Sequence, residues 1–283
     1  MAGYTVGVVG AGVMGCGTAS ALLACDQAVI LTDVGPGVLE GAPAKIAREL
    51  RFSSLFQDGK PSHVRTLEKL RCTANIRDLR DADLIIENTT EEWAVKSMCH
   101  AQLDEIVPAE KIIVVNTSAI PITRMASLHA AKDRIIGVHF MNPVLHKSTV
   151  EVIPGHHTSK ETIDRTQAFL TTIGKVGVVV RDAAGFVSNR VLMLAINEAA
   201  FLVHDRVASA DQIDLIFRNC FDHKMGMLET ADMIGIDTIL RSIEVLRDHY
   251  QDPKYRPCPL LREMVAAGLL GRKTGQGFFD YRT

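Results

Sequence analysis

The chain has 283 residues, 47% of them hydrophobic, so it is long enough to bury the core of one large domain or of two domains of ordinary size. Its 31 basic and 33 acidic residues give a net charge of −2. The chain therefore lacks the excess of positive charge that is typical of proteins that bind nucleic acid or an anionic membrane surface. We therefore expect small molecules or proteins as partners.

The cysteines and the apolar segments indicate the compartment. The six cysteines form no CxxC pair and no close set of ligands, a pattern typical of reduced thiols that predicts neither disulfides nor a metal site. The apolar start of the chain has glycine in its middle and no preceding Lys or Arg, so we interpret it as a core strand and not as a signal peptide. No run of 18 uninterrupted apolar residues occurs, so no membrane span is predicted. The reduced thiols predict a cytoplasmic protein.

A glycine-rich turn follows the first apolar run, Val6 to Val9. Its sequence is Gly10-Ala11-Gly12-Val13-Met14-Gly15, and an Ala- and Leu-rich stretch of about three helical turns comes next. In such a unit Gly10 permits the tight turn, Gly12 lets the backbone approach a pyrophosphate, and Gly15 lets the helix lie close to the strand. The start of the helix then presents its N–H groups and its positive dipole end to the phosphates.

A second apolar run, Ala28 to Leu31, is followed by Asp33, which lies 18 residues after Gly15. A carboxylate at this place can accept hydrogen bonds from the adenosine ribose. No Arg or Lys occurs from Val34 to Glu40 to receive a 2′-phosphate, so the sequence favours NAD over NADP. The glycine pattern alone would also fit an ordinary strand-to-helix turn, but the two apolar runs and the acid together predict a dinucleotide site.

Strands and helices alternate over the first part of the chain. Beyond Asp33 the predicted elements are a helix from Ala42 to Phe56, a polar turn from Gln57 to Ser62, a helix from His63 to Leu70, strands from Arg71 to Asn75 and from Asp83 to Glu87, a helix from Glu91 to Ile106 and a strand from Lys111 to Val115. Right-handed crossovers turn this alternation into an open parallel sheet with helices on both faces. Ligands of such sheets bind beyond the carboxyl ends of the strands, where Glu87, Asn88, Asn116, Thr117 and Ser118 fall.

The pattern changes in the second half of the chain. Three short apolar runs follow: Ile135 to Phe140, Val150 to Ile153 and Val176 to Val180. A helix from about Ser159 to Ile173 is predicted between the last two runs. After Asp182 no convincing strand is predicted before the last residues of the chain, where the sequence leaves one open. The predicted elements are helices: Phe186 to Val203, Ala210 to Cys220, Thr230 to Tyr250 with an interruption at Ile234-Gly235, and Leu260 to Leu270. The sequence therefore predicts an α/β fold, with a Rossmann-type, doubly wound parallel sheet domain at residues 1–183 and an all-α domain at residues 184–283.

A histidine and a glutamate on neighbouring predicted strands form a candidate acid–base pair. His139 ends one apolar run, Glu151 lies 12 residues later in the next run, and Asn142-Pro143 marks the turn between them. Adjacent strands can bring such side chains together, and the carboxylate would then support the imidazolium that forms when the histidine removes a hydroxyl proton. The spacing alone leaves open a core histidine and a solvated glutamate.

Several linked runs resemble the 3-hydroxyacyl-CoA dehydrogenase family. They are Asn116-Thr-Ser118 with Pro121-Ile-Thr123, Gly137-Val-His139-Phe-Met-Asn142-Pro143, Val150-Glu151-Val152 and Gly185-Phe-Val-Ser-Asn189-Arg190. The resemblance implies that His139 is the base, that Glu151 orients it, and that Ser118 and Asn189 bind the hydroxyl and thioester region of the substrate. It also implies that Glu91 and Lys96 line the nicotinamide cleft, that the substrate lies between the two domains, and that the helical domain forms a homodimer.

The predicted cofactor is NAD, and no metal is expected. The residues predicted to bind the cofactor, from the glycine-rich turn and from the resemblance, are Gly10, Gly12, Val13, Met14, Gly15, Asp33, Glu91, Lys96 and Asn116.

Four further runs are similar to dehydrogenases that act on acyl carrier protein. They are Glu87-Asn-Thr-Thr-Glu-Glu-Trp93, His156-His157-Thr-Ser159, Cys220-Phe-Asp-His-Lys-Met225 and Tyr255-Arg-Pro-Cys-Pro-Leu-Leu261. Those enzymes oxidise the terminal hydroxyl of a carrier-bound glyceryl thioester to make polyketide extender units. The helix predicted after Asp33 agrees with this, because it mixes Lys45, Arg48 and Arg51 with Glu49 and would suit phosphopantetheine without the CoA nucleotide.

The resemblance thus implies NAD-dependent oxidation of a 3-hydroxyacyl thioester to its 3-oxo product. We expect glyceryl-acyl carrier protein as the substrate and 2-hydroxy-3-oxopropionyl-acyl carrier protein as the product. A 3-hydroxybutyryl-CoA dehydrogenase of fatty-acid or butyrate metabolism is the close alternative. An NAD-binding or structural protein without turnover is the alternative from a different class, since a fold does not fix function.

Overall fold

The computed structural model describes residues 3–54 and 66–282, and these divide into two compact units, Met1–Ala183 and Ala184–Thr283. The first unit combines strands with helices and the second is helical, which confirms the predicted fold class. The polar turn predicted at residues 57–62 and the start of the helix predicted at His63 lie outside the described residues.

Eight strands form one sheet in the first unit. They are β1 (Thr5–Val9), β2 (Ala28–Thr32), β3 (Leu70–Thr73), β4 (Leu84–Glu87), β5 (Ile112–Val115), β6 (Ile135–His139), β7 (Thr149–Pro154) and β8 (Val176–Val179). Their order is β3-β2-β1-β4-β5-β6-β7-β8, parallel except for the antiparallel pair of β6 and β7. The chain order reverses between β1 and β4, so the carboxyl ends of these two strands lie at the switch point where ligands bind such sheets.

Five described helices belong to the first unit. They are α1 (Val13–Ala24), α2 (Pro36–Ser54), α3 (Trp93–Ile106), α4 (Ile122–Ala126) and α5 (Lys160–Thr172). Helix α1 is buried from Gly15 to Leu23, because small side chains let it pack closely on several sides. Helix α2 begins at Pro36, six residues before the predicted start at Ala42, since proline suits a first turn that needs no N–H donor.

The second unit has its own core of packed helices. They are α6 (Ser188–His204), α7 (Ala210–Cys220), α8 (Met227–Ile234), α9 (Ile236–Tyr250) and α10 (Pro259–Ala266), and Tyr255 and Ile243 are fully buried among them. The predicted interruption at Ile234-Gly235 separates α8 from α9, and Gly235 has φ of +106°, a conformation that favours glycine. No described helix combines the length and the apolar character that a membrane span needs.

Candidate active site

The glycine-rich turn joins the carboxyl end of β1 to the start of α1. Gly10 has φ of +91°, and a Cβ atom on Gly15 would lie 1.7 Å from the Gly10 carbonyl oxygen, so both positions need glycine for steric reasons. A Cβ atom on Gly12 would meet nothing within 4 Å, and no side chain caps α1. The turn therefore leaves an open backbone edge at a helix N-terminus, which is the feature a pyrophosphate requires.

Asp33 follows β2 and lies against the same turn. One of its carboxylate oxygens accepts a hydrogen bond from the Ala11 N–H at 2.7 Å, and the other accepts one from the Gly35 N–H at 2.8 Å. Next to Gly12, Val13 is 70% exposed, and Met14 is partly exposed. These residues fit NAD, because the carboxylate still has lone pairs for a ribose and lies beside the open edge of Gly12. Bound NAD would supply the acceptor for a hydride.

His139 and Glu151 lie side by side on β6 and β7. The antiparallel register of the two strands pairs these residues directly, and His139 Nδ1 lies 2.8 Å from Glu151 Oε2. Their side chains are only 6% and 10% exposed. Because the carboxylate accepts a hydrogen bond from the Nδ1–H group, the other ring nitrogen, Nε2, carries the lone pair that a general base needs.

Ser118 lies in the turn that follows β5 and faces this nitrogen. Its Oγ atom is 3.1 Å from His139 Nε2. A substrate hydroxyl held at Ser118 would therefore be close to the atom that can take its proton. The structure thus brings together three of the four predicted catalytic residues. The fourth, Asn189, lies in the first turn of α6 in the second unit, and its contact with the substrate remains a prediction.

Glu91, which precedes α3, holds the turn that carries Ser118. Its Oε1 atom accepts hydrogen bonds from the backbone N–H groups of Ser118 and Ala119, at 3.1 and 2.9 Å, and from the Thr117 hydroxyl. Several donors on one carboxylate oxygen fix the backbone of the turn. Direct contact between Glu91 and the nicotinamide remains a prediction, whereas its contact with the Ser118 turn is a feature of the fold.

Lys96 and Asn116 also support this turn from within the protein. The Lys96 side chain is fully buried, and its ammonium group donates to both oxygens of Glu87 and to the Asn116 carbonyl, at 2.9 to 3.0 Å. The Asn116 amide donates to Asn88 and accepts from the Phe140 N–H. These bonds use all three ammonium hydrogens of Lys96 and tie the turn to Glu87. That Lys96 lines the nicotinamide cleft, as the resemblance implies, remains a prediction.

Sequence reasoning placed Glu87 at a strand end but missed its ion pair. Burial opposes the charge of Glu87, yet Lys96 and a hydrogen bond from His100 outweigh it and lower the pKa of Glu87 to about 2. His100 in turn contacts His129, 29 residues away in the chain. No periodic pattern links two histidines so far apart, and only the folded chain reveals their contact.

Comparisons with known proteins identify the same family for both units. The model of the 3-hydroxyacyl-CoA dehydrogenase NAD binding domain matches residues 5–183, and the model of the 3-hydroxyacyl-CoA dehydrogenase C-terminal domain matches residues 185–281. The chain is 40% identical to the probable 3-hydroxybutyryl-CoA dehydrogenase of Bacillus subtilis, over 97% of this chain and 96% of the relative. It is 41% identical to the probable 3-hydroxybutyryl-CoA dehydrogenase of Deinococcus radiodurans, over 97% and 99%.

Among solved structures, the chain is similar to (S)-3-hydroxybutyryl-CoA dehydrogenase PaaH1 from Ralstonia eutropha. The TM-score is 0.92 with 38% identity, and the match covers all of both chains.

Proposed function

Because the chain belongs to the 3-hydroxyacyl-CoA dehydrogenase family, we propose that it oxidises 3-hydroxybutyryl-CoA to acetoacetyl-CoA. It is an NAD-dependent oxidoreductase that acts on 3-hydroxyacyl-CoA thioesters. The observation that carries the catalytic part of the proposal is the contact of Ser118, His139 and Glu151. Support for the four-carbon acyl chain comes from full-length relatives whose names specify 3-hydroxybutyryl-CoA.

Each of these three residues has a separate task in the proposed reaction. Ser118 holds the substrate hydroxyl, and His139 Nε2 accepts its proton while the C3 hydrogen leaves as hydride. Glu151 keeps the Nδ1 proton in place and stabilises the imidazolium that forms. With charge centres about 4 Å apart and an effective dielectric near 20, this stabilisation is about 4 kcal/mol.

A His139→Ala variant tests the catalytic assignment. We expect kcat to fall by at least about 10²-fold, since general base catalysis contributes that much, with NAD affinity unchanged. His157→Ala is the matched control, because His157 is an exposed histidine of the same unit and lies away from this cluster in sequence. A folded His139→Ala enzyme with wild-type turnover would contradict the assignment. NAD binding without oxidation of any hydroxyacyl thioester would instead support the silent NAD-binding protein.

The carrier-linked glyceryl substrate is the second candidate, and the charge of α2 favours it. Lys45, Arg48 and Arg51 are exposed on this helix, but Glu49 lies among them and is only partly exposed. Such a mixed surface is less suited to the phosphates of a CoA nucleotide than a wholly basic one.

Rates of NADH formation with the two substrates separate these candidates. We expect a kcat/KM at least about tenfold higher for 3-hydroxybutyryl-CoA than for glyceryl-acyl carrier protein, which corresponds to about 1.4 kcal/mol in the transition state. The opposite preference would replace the proposed substrate by the carrier-linked one and leave the dehydrogenase class intact.

We also propose that the helical unit forms a homodimer. Large apolar side chains are exposed on and beside α7: Leu215 at 53%, Ile216 at 51% and Phe221 at 63%. Neighbouring exposed apolar residues of this size are typical of a protein interface. Light scattering should give twice the chain mass, and a Leu215→Glu/Ile216→Glu variant should give a folded monomer. A monomeric wild-type protein would contradict the proposal.

A further inference from the structure

Five ionisable side chains form a buried line of hydrogen bonds beside the Ser118 turn. Glu87 Oε2 contacts Lys96 Nζ at 2.9 Å and His100 Nε2 at 3.1 Å. His100 Nδ1 lies 2.7 Å from His129 Nε2, and His129 Nδ1 lies 3.1 Å from Asp104 Oδ1. The first four residues are at most 2% exposed. If one of these contacts lacks an N–H donor, water therefore cannot supply the missing hydrogen bond.

The two imidazole rings need three protons for these contacts. The carboxylates of Glu87 and Asp104 only accept hydrogen bonds, so each requires an N–H from the ring beside it. The contact between the rings requires a third N–H. Two neutral imidazoles hold two protons in all, so the pair holds one more and carries a single positive charge.

The charges around the pair agree with this count. Burial and the neighbouring His100 lower the pKa of His129 to about 4, so His129 is the neutral ring of the pair. Hydrogen bonds from Ala130 and His129 outweigh the partial burial of Asp104 and lower its pKa, so neither carboxyl group supplies the third proton. The charged and titratable groups that face the pair or adjoin its partners are Glu87, Lys96, Asp104, Arg134 and Cys99, and burial raises the pKa of the Cys99 thiol to about 12.

We propose that the His100–His129 pair positions the Ser118 turn and does so only while it holds its third proton. The line of contacts leads to the turn through the buried ion pair. His100 holds Glu87, Glu87 holds Lys96, and the Lys96 ammonium donates to the Asn116 carbonyl at 3.0 Å, two residues before Ser118.

Loss of the third proton would leave two nitrogen lone pairs facing each other at the distance of a hydrogen bond. Since the site is buried, His100 would have to move away from either His129 or Glu87. A shift of Glu87 would reach the Ser118 turn through Lys96. The pair is therefore a positioning element for the hydroxyl that faces His139, and it does not itself take part in the chemistry.

Nitrogen-15 NMR of the histidine rings in the wild-type enzyme tests the proton count directly. At neutral pH we expect one slowly exchanging, doubly protonated ring, assigned to His100 by its loss in His100→Phe, hydrogen-bonded to a neutral His129 ring. Two neutral rings, or two that exchange rapidly with solvent, would overturn the proposal. This arm needs no substrate, so it can fail independently of the proposed function, on which the kinetic arm rests.

The kinetic arm compares two replacements of His129. His129→Phe removes both hydrogen bonds of the His129 ring. We expect kcat with 3-hydroxybutyryl-CoA to fall by about tenfold, because a small displacement of the Ser118 hydroxyl from His139 is enough for a loss of this size. The KM for NAD should stay unchanged. His129→Gln should restore most of the rate, because its amide can donate to Asp104 and accept from His100. The wild-type enzyme should lose kcat at alkaline pH together with the third proton measured by NMR.

Thr166→Val is the matched control for the loss of a buried hydrogen bond. Thr166 lies in α5, where its hydroxyl donates to the Thr162 carbonyl, and its replacement should lower stability without changing kcat or its pH profile. Wild-type kcat and pH profile in folded His129→Phe would refute the positioning role. If His129→Phe does not fold, the rate of His129→Gln and the NMR of the wild-type enzyme decide.

Discussion

Replacement of Glu151 by Gln keeps the size of the side chain and removes its charge, so it isolates the electrostatic part of the contact with His139. The two side chains are 2.8 Å apart and at most 10% exposed, so solvent screens them weakly. If all of the estimated stabilisation of about 4 kcal/mol were lost, kcat would fall by about 10³-fold. The imidazolium is only partly formed in the transition state, and we therefore expect a fall of about 10²-fold.

Initial rates of NADH formation at saturating NAD measure this effect, and calorimetry of NAD binding checks that the cofactor site is unchanged. Glu161→Gln is the matched control, since Glu161 lies on α5 of the same unit with its side chain 78% exposed, and it should keep the wild-type rate. A folded Glu151→Gln enzyme with unchanged kcat would refute the reasoning. Glu151 would then orient the ring without stabilising its charge.

Three further expectations concern the cofactor turn and the buried ion pair. Gly15→Ala should lower the free energy of unfolding by about 3 kcal/mol, because its Cβ would overlap the Gly10 carbonyl. Gly12→Ala should keep the stability and weaken NAD binding. Equal urea unfolding curves and equal NAD affinities for the two variants would contradict this expectation. Asp33→Ala should weaken NAD binding by about tenfold and reduce the preference for NAD over NADP, which calorimetry with both cofactors measures. An unchanged preference for NAD would exclude Asp33 as the residue that selects between the two cofactors. The carboxyl group of Glu87 has a pKa of about 2 in the folded protein against an ordinary 4.5, so its ionisation stabilises the fold by about 3 kcal/mol above pH 4.5, and this stabilisation is lost as the pH falls toward 2. Urea unfolding of Glu87→Gln should therefore lack this part of the acid dependence. An identical acid dependence in both proteins would argue against this role of Glu87.

The cofactor half of the site was predictable because its constraints are local. Gly10 and Gly15 are required by sterics within one turn, Gly12 leaves the backbone edge open beside them, and Asp33 is the next acid after the following strand. Neighbours along the chain decide such features, so the order of residues reveals them. The start of α2 was less predictable, because Pro43 within a helix is tolerated only when the surrounding packing supports it.

The catalytic half depended on contacts between distant segments. The spacing of His139 and Glu151 allowed a contact, but only the antiparallel register of β6 and β7 put them opposite each other, since a slip by one residue would send one side chain to the other face. Ser118 reaches the same point from β5, the parallel neighbour of β6.

By itself, the sequence determined the alternation of strands and helices, the change from a sheet domain to a helical domain and the glycine-rich turn, because each follows from short-range sterics and hydrophobic periodicity. Only the tertiary structure decided which polar side chains meet in the interior. Lys96 is buried against Glu87 and His100 contacts His129, because strand order and sheet packing bring together groups that no local pattern connects. Polar groups buried in this way need hydrogen-bond partners within the interior.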